Sequence, residues 1–256
     1  MGSPACETVL RAIGAYNRRD LDALLVEMDP EVVLQPPLTA LAGNLYRGHD
    51  GVADWLRDLD ETFAQTRIEP LEVEDLGAVV LALTTFSVEA GEGRLPLDSE
   101  LGLLFGMRAG LIVSWDGHFD HAAARAEARE RLVREAIDAY NQRDVDALAA
   151  LMSPDVELRP PVTELWGIEY RGHEGIRKWM ADVEDSFMRA RIVPLEFEDR
   201  GGLVLALTSF EVKGEESRLE FDSELGLLCE IADGRIVSWR GHFSHAAARA
   251  EAEAQA

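Results

Sequence analysis

The chain has 256 residues, 47% of them hydrophobic, with 48 acidic against 25 basic side chains for a formal charge of -23. That composition belongs to a folded globular protein of one or two domains. The acidic excess is spread along the chain, with 22 acids and 9 bases in residues 1–127 (-13) and 26 and 16 in 128–256 (-10), so nucleic acid and anionic membrane meet repulsion throughout. No apolar run approaches the ~18 residues of a membrane span, and residues 1–11 lack the basic-then-apolar order of a secretory signal. Cys6 and Cys229 make no disulfide framework. A reducing, cytoplasmic setting is therefore expected.

Val9, Ala12, Ile13 and Tyr16 fall at i, i+3, i+4 and i+7, the spacing of a buried helix face. Asp20 follows Asn17-Arg18-Arg19 as the cap of a second, short helix that Pro30 is expected to end. Val32 to Gln35 reads as a short strand before the Pro36-Pro37 break, and after Tyr46-Arg47-Gly48-His49 the positions Val52, Trp55, Leu56, Leu59 and Phe63 return to helical spacing. Ile68–Asp75, Val79–Glu89, Arg94–Phe105 and Leu111–Phe119 are β-rich runs punctuated by glycines, the pattern of antiparallel strands joined by turns.

The same order then repeats. Ala15-Tyr16-Asn17 recurs as Ala139-Tyr140-Asn141, Asp98-Ser99-Glu100-Leu101-Gly102 as Asp222-Ser223-Glu224-Leu225-Gly226, and Gly117-His118-Phe119 as Gly241-His242-Phe243, all at one offset of 124 (140 − 16). More than half of the aligned positions are identical. A unit of this length exceeds the 20–50-residue period of solenoids and is a whole domain. The chain is expected to be two copies of one α+β domain, 1–127 and 128–256, with helices on one face of a mostly antiparallel sheet. Ala122 to Asn141 contains neither Gly nor Pro, so a continuous helix should join the copies. An intramolecular pseudo-dimer packed through the outer sheet faces, monomeric as a chain, is the expected assembly.

Alternate strand residues face opposite sides. Leu95, Leu97, Leu101, Leu103 and Phe105 share one face with Ser99, as do Val113, Trp115, Gly117 and Phe119, and Thr84, Phe86 and Val88 join them. A cavity so lined suits a small hydrophobic molecule; a packed core without a cavity fits the same pattern. The candidate pocket residues are Tyr16, Trp55, Thr84, Phe86, Ser99 and Trp115, with Tyr140, Trp179, Thr208, Phe210, Ser223 and Trp239 in the second copy. The tyrosines offer a hydrogen bond to a carbonyl or phenol, and the tryptophans a stacking surface. The opposite face carries Glu100 and His118, then Glu224 and His242, candidate acid/base pairs whose parity turns them away from the cavity. Arg47 and His49 stand where an anion could meet a helix start, although capping is the commoner use. Neither a metal-binding cluster nor a Gly-x-Gly-x-x-Gly or Walker pattern occurs, so no metal or cofactor is expected.

Ala15–Leu24, Tyr46–Val52, Gly110–Trp115 and Phe119-Asp120 are similar to the SnoaL-like branch of the nuclear transport factor 2-like superfamily. The resemblance covers nearly all of both halves and implies cone-shaped α+β barrels. It is poor in functional meaning, because this superfamily includes isomerases, dehydratases, epoxide hydrolases, polyketide cyclases and non-catalytic binders. The ionisable groups of those enzymes are missing at the matching positions: Pro36 and Pro160 stand for the isomerase base, Leu101 and Leu225 for its oxyanion-hole aspartate, and Gly117 and Gly241 for the cyclase aspartate. Thr84, Phe86 and Gly117, with Thr208, Phe210 and Gly241, stand for the hydrolase arginine and two aspartates. The expected function is binding of a small hydrophobic, aromatic or polyketide-like molecule. The alternatives are an isomerase, cyclase or dehydratase using Tyr16 or the Glu100–His118 pair, and a ligand-free scaffold.

Overall fold

The computed structural model describes residues 2–37, 45–63, 65–77, 79–88, 97–161, 168–186, 190–213 and 220–255. The chain divides into two compact units, Met1–Ala128 and Arg129–Ala256.

The first unit runs α1 (Pro4–Arg18), α2 (Leu21–Val26), β1 (Met28–Gln35), β2 (Tyr46–Arg47), α3 (Gly48–Thr62), β3 (Thr66–Asp75), β4 (Val79–Val88), β5 (Leu97–Arg108) and β6 (Leu111–His118). Helix α4 (His121–Gln142) then continues without a break, as the lack of Gly and Pro predicts, residues 121–128 belonging to the first unit and the remainder to the second. The second unit repeats the order with α5 (Val145–Ala150), β7 (Met152–Arg159), β8 (Tyr170–Arg171), α6 (Gly172–Ser186), β9 (Ala190–Asp199), β10 (Leu203–Lys213), β11 (Glu220–Ala232), β12 (Arg235–His242) and α7 (His245–Ala254).

Each unit has one six-stranded sheet, ordered β2-β1-β6-β5-β4-β3 and β8-β7-β12-β11-β10-β9. All neighbours are antiparallel except β1 with β6 and β7 with β12. The duplicated α+β architecture is the one the repeat predicts. Three local expectations are corrected. Helix α2 ends at Val26, well before Pro30, which lies within β1 where the pairing to β6 is irregular; a proline is tolerated there because no ladder hydrogen bond is required of it. Tyr46-Arg47 is a short strand paired with β1, not merely a lead into α3. A bulge between Gly106 and Met107 shifts the β5–β6 register, so Ile112, and not Val113, joins Trp115 in the core.

The inner sheet face and helices α1 and α3 enclose the first core, containing Val9, Ile13, Tyr16, Trp55, Leu103, Phe105 and Trp115. On the outer face the segment after β6 turns back over the sheet. A Cβ at Gly102 would lie 2.2 Å from the Ala124 Cβ, and one at Gly226 would lie 2.3 Å from that of Ala248, so glycine permits this close helix-on-strand approach.

Candidate functional site

Helix α1 reaches the inner core through a terminus whose chemistry is local. Arg19 adopts a left-handed conformation (φ 57°) and Asp20 accepts a hydrogen bond from the Ala23 N–H at 3.1 Å, which turns the chain into α2. Asn17 does more than end a helix: its amide donates to the Ile68 carbonyl at 2.7 Å, and its carbonyl accepts from the Ile68 N–H at 2.9 Å. Asn141 repeats this on Ile192, both at 2.8 Å. Because β3 and β9 are edge strands, these clamps satisfy backbone groups that no strand pairs.

With the helix so fixed, Tyr16 stacks on Trp55 (5.4 Å between ring centroids), Trp55 meets Trp115 edge-on at 5.2 Å, and Phe105 backs Trp115 at 4.7 Å. In the second copy Tyr140 stacks on Trp179 at 5.3 Å, whereas Trp179 and Trp239 are 6.1 Å apart, and Cys229 replaces the backing phenylalanine. Four of the six predicted pocket residues in each copy border a small apolar cavity: Tyr16, Trp55, Phe86 and Trp115 in the first, and Tyr140, Trp179, Phe210 and Trp239 in the second. Thr84 and Thr208 do not; each is fully buried and donates to the carbonyl of Leu101 or Leu225 at 2.7 Å. Ser99 and Ser223 lie on the same strand face with buried hydroxyls that find no partner among the described residues, and neither borders the cavity. The predicted size differences at Ala42 and Trp166, and those of the Leu97 and Phe221 side chains, lie outside the described residues.

The cavities measure only about 30 Å³ and 40 Å³, against roughly 300 Å³ or more for a ligand pocket. The rings themselves fill the barrel. Strand parity places Phe119 on this face, as the structure does, but does not reveal the rest of the mouth, Pro36 and Pro37, with Pro160 and Pro161 beside Phe243 in the second copy. Phe119 and Phe243 are 42% and 46% exposed and pack tilted or edge-on against Phe86 and Phe210 at 6.4 and 6.2 Å.

The polar groups near the rings are mostly engaged. The Tyr16 hydroxyl is 2.6 Å from the Thr66 Oγ1, to which Arg19 also donates, and the Arg19 guanidinium lies over the Tyr16 ring. Burial pushes the Tyr16 phenol above its ordinary range, and the Thr66 hydrogen bond and Arg19 charge offset this only in part. Tyr140 is raised in the same way, with Arg143 beside it. Both phenols are therefore neutral near neutral pH. Besides the Ser99 and Ser223 hydroxyls, the exception is Trp55, 3% exposed, which borders the first cavity and whose indole N–H meets no acceptor among the described residues.

The predicted acid/base pairs do not form. His118 is hydrogen-bonded to Glu127 at 2.5 Å and His242 to Glu251 at 2.7 Å, while Glu100 and Glu224 accept from the backbone N–H groups of His121 and His245. The returning helix supplies the carboxylate that strand adjacency assigned to Glu100. His49 and His173 point their Nε2 at the carbonyls of Met28 and Met152, 3.2 Å away in each case, which ties the start of α3 to β1 and that of α6 to β7. At Gly117 a Cβ would lie 3.1 Å from the Pro37 Cγ, and at Gly241 one would lie 2.7 Å from the Pro161 Cδ, so the prolines occupy the space a carboxylate would need. Among the described residues no three His, Cys, Asp or Glu side chains converge on a metal-sized site, and no helix is long and apolar enough to cross a membrane.

The sequence matches the SnoaL-like domain over residues 9–115 and again over 133–239. No match was found among curated proteins. Similar solved structures include an NTF2-like protein of unknown function from Burkholderia pseudomallei, 28% identical, spanning 48% of this chain and 95% of its own with a TM-score of 0.43. TerC, co-crystallised with polyporic acid, is 24% identical over 48% of this chain and 96% of its own, with a TM-score of 0.43. A polyketide cyclase, so described provisionally, from Sinorhizobium meliloti is 22% identical over 44% of this chain and 94% of its own, with a TM-score of 0.37. With the family pattern matched twice and two like-ordered sheets, the chain belongs to the SnoaL-like domain family, which it carries in two tandem copies.

Proposed function

We propose that the protein binds small, neutral, ring-bearing molecules at the mouths of its barrels, the ring entering where Phe119 or Phe243 stands. The observation that carries this reading is Trp55 of the first copy, a residue of the cavity lining whose buried N–H meets no acceptor among the described residues. At about 30 Å³ the resting cavity holds no more than water. A swing of the half-exposed Phe119 ring would release the space of roughly one benzene ring, for which cavities of ~150 Å³ suffice. The wall then offers rings to stack on and one hydrogen bond to fix orientation, without an ionisable group positioned for acid/base catalysis at the inner aspartate positions of the family's enzymes.

The test is native mass spectrometry of the freshly purified protein followed by thermal-shift screening with neutral aromatics such as 2-naphthol. A ligand at 100 times its dissociation constant adds about 2.7 kcal/mol, roughly 10 °C in melting temperature for a domain of this size. Phe119→Ala with Phe243→Ala should tighten binding of single-ring probes. The small cavities favour a second reading, the filled-core scaffold. A chain that releases no molecule and shows no shift, with the alanine variants equally silent, establishes that one instead.

A further inference from the structure

The second copy carries a cleft of about 700 Å³, well within the size of a small-molecule site. It shares Pro160, Pro161 and Phe243 with the mouth of the barrel cavity, but its other wall lies on the outer sheet face, where Arg159, Arg171 and Arg240 stand among Glu157, Glu169 and Glu251. The register of the parallel pair β7–β12 sets Arg159 opposite Arg240, and that of β7–β8 sets Glu157 opposite Arg171. In the first copy the same positions pair Gln35 with Asp116 and Val33 with Arg47. Two arginines thus stand side by side on neighbouring strands of a chain with nearly twice as many acids as bases. Like charges placed directly opposite are unfavourable unless something lies between them.

Their partners are unequal. Arg240 is committed to Glu230 at 2.7 Å, Glu251 at 3.2 Å and Gln255. Arg159 and Arg171 share the single carboxylate of Glu157 at 3.6 and 3.7 Å, too far for the 2.7–2.9 Å of a charge-assisted hydrogen bond. Neither guanidinium makes a hydrogen bond among the described residues, and their side chains are 68% and 73% exposed. A guanidinium presents a rigid fork of donors that matches a carboxylate. Two unspent forks beside an apolar rim of Pro160, Pro161 and Phe243 are complementary to one kind of molecule.

We propose that this cleft binds a small carboxylic acid with an apolar body, its carboxylate held between Arg159 and Arg171 and its body laid on Pro160, Pro161 and Phe243. The site adjoins the second barrel's mouth, with which it shares Pro160, Pro161 and Phe243, but its arginines belong to the second copy alone.

The test is calorimetric titration of the whole chain with 2-naphthoate and, as a neutral isostere, 2-naphthamide, at low ionic strength and again near ~1 M salt, where the screening length falls to about 3 Å. The acid should bind at least roughly tenfold more tightly than the amide, the worth of one charge-assisted hydrogen bond. High salt, Arg159→Gln or Arg171→Gln should abolish that preference, while Arg47→Gln in the first copy leaves it intact. Both cleft substitutions are on exposed side chains, and unchanged melting temperatures will show that the fold survives. Equal affinity for acid and amide, no binding of the acid, or naphthoate binding that persists in the Arg159→Gln, Arg171→Gln double variant overturns the proposal. Amide binding that responds to Phe119→Ala but not to the arginine substitutions upholds the barrel reading while overturning this one.

Discussion

Asn17→Ala is the sharpest probe of how α1 is held. The side chain makes two hydrogen bonds, of 2.7 and 2.9 Å, to both backbone groups of Ile68, which is 3% exposed on the edge strand β3. Alanine removes both and leaves an N–H and a C=O in a site that water reaches poorly. Two neutral hydrogen bonds contribute about 2 kcal/mol net, and incompletely solvated backbone groups add up to a further ~1–2, so the expected loss is about 3 kcal/mol. Urea unfolding should show it as a lower midpoint with an unchanged slope. Amide hydrogen exchange localises the effect: the Ile68 N–H, which points away from β4 to Asn17, should exchange faster, while the amides paired across β3–β4 are slowed or hastened only with global stability. A loss below about 0.5 kcal/mol, in the range of an ordinary surface substitution, or an Ile68 amide that stays protected, refutes the edge-clamp account. Asn141→Ala should act equally on Ile192.

Tyr16→Phe should cost about 1 kcal/mol, and much of that cost should vanish in a Thr66→Ala background, because the hydroxyl's partner is Thr66 Oγ1 at 2.6 Å; a thermodynamic double-mutant cycle measures the coupling. Gly117→Asp, which would install the carboxylate that the cyclase resemblance expects, should destabilise the protein by ~2 kcal/mol or more through overpacking against Pro37 and Leu103, read as a fall in the urea midpoint, and should confer no activity. The Arg125 hydrogen bond and charge hold the Glu72 carboxyl below the usual range. A depressed carboxyl contributes stability above its unfolded pKa and loses it as pH falls through the folded value. The melting-temperature gap between wild type and Arg125→Gln should therefore be small but constant near neutrality and close below the carboxylate range. A gap that widens on acidification reverses the assigned sign.

The repeat, the sheet and the aromatic inner face are legible in the sequence because packing imposes periodicity: Trp115 and Phe105 reach the core on the same parity that organises their strands. What escapes is whatever depends on contacts distant in sequence. Nothing near Asn17 signals that a strand edge 51 residues away needs a donor and an acceptor. The bulge at Gly106 moves Ile112 inward and Val113 out of the core without leaving a mark in the pattern. Strand adjacency offers Glu100 to His118, yet the helix that folds back over the sheet pairs His118 with Glu127. Composition identifies the aromatic wall but not its fit, and a few ångströms in ring spacing decide between a cavity and a filled core.

Most of the aromatic core is shared by the two copies, Phe105 against Cys229 being a buried exception, and the charged difference lies at the rim. Tyr16, Trp55 and Trp115 are kept in kind by Tyr140, Trp179 and Trp239, because altering any of them opens a hole in a core. At the rim, Gln35 and Asp116 are matched by Arg159, which is exposed, and Arg240, which is tied to Glu230 and Glu251. A duplication that keeps its ring-bearing tyrosine and tryptophans while varying its rim can hold two binding chemistries in one chain. It follows that stoichiometry separates the two sites: a neutral ring probe should titrate to two per chain, one at each barrel mouth, whereas naphthoate at low ionic strength should show one tight site. Two tight sites for the acid would mean that recognition lies in what the copies share, and would remove the arginine pair from the explanation.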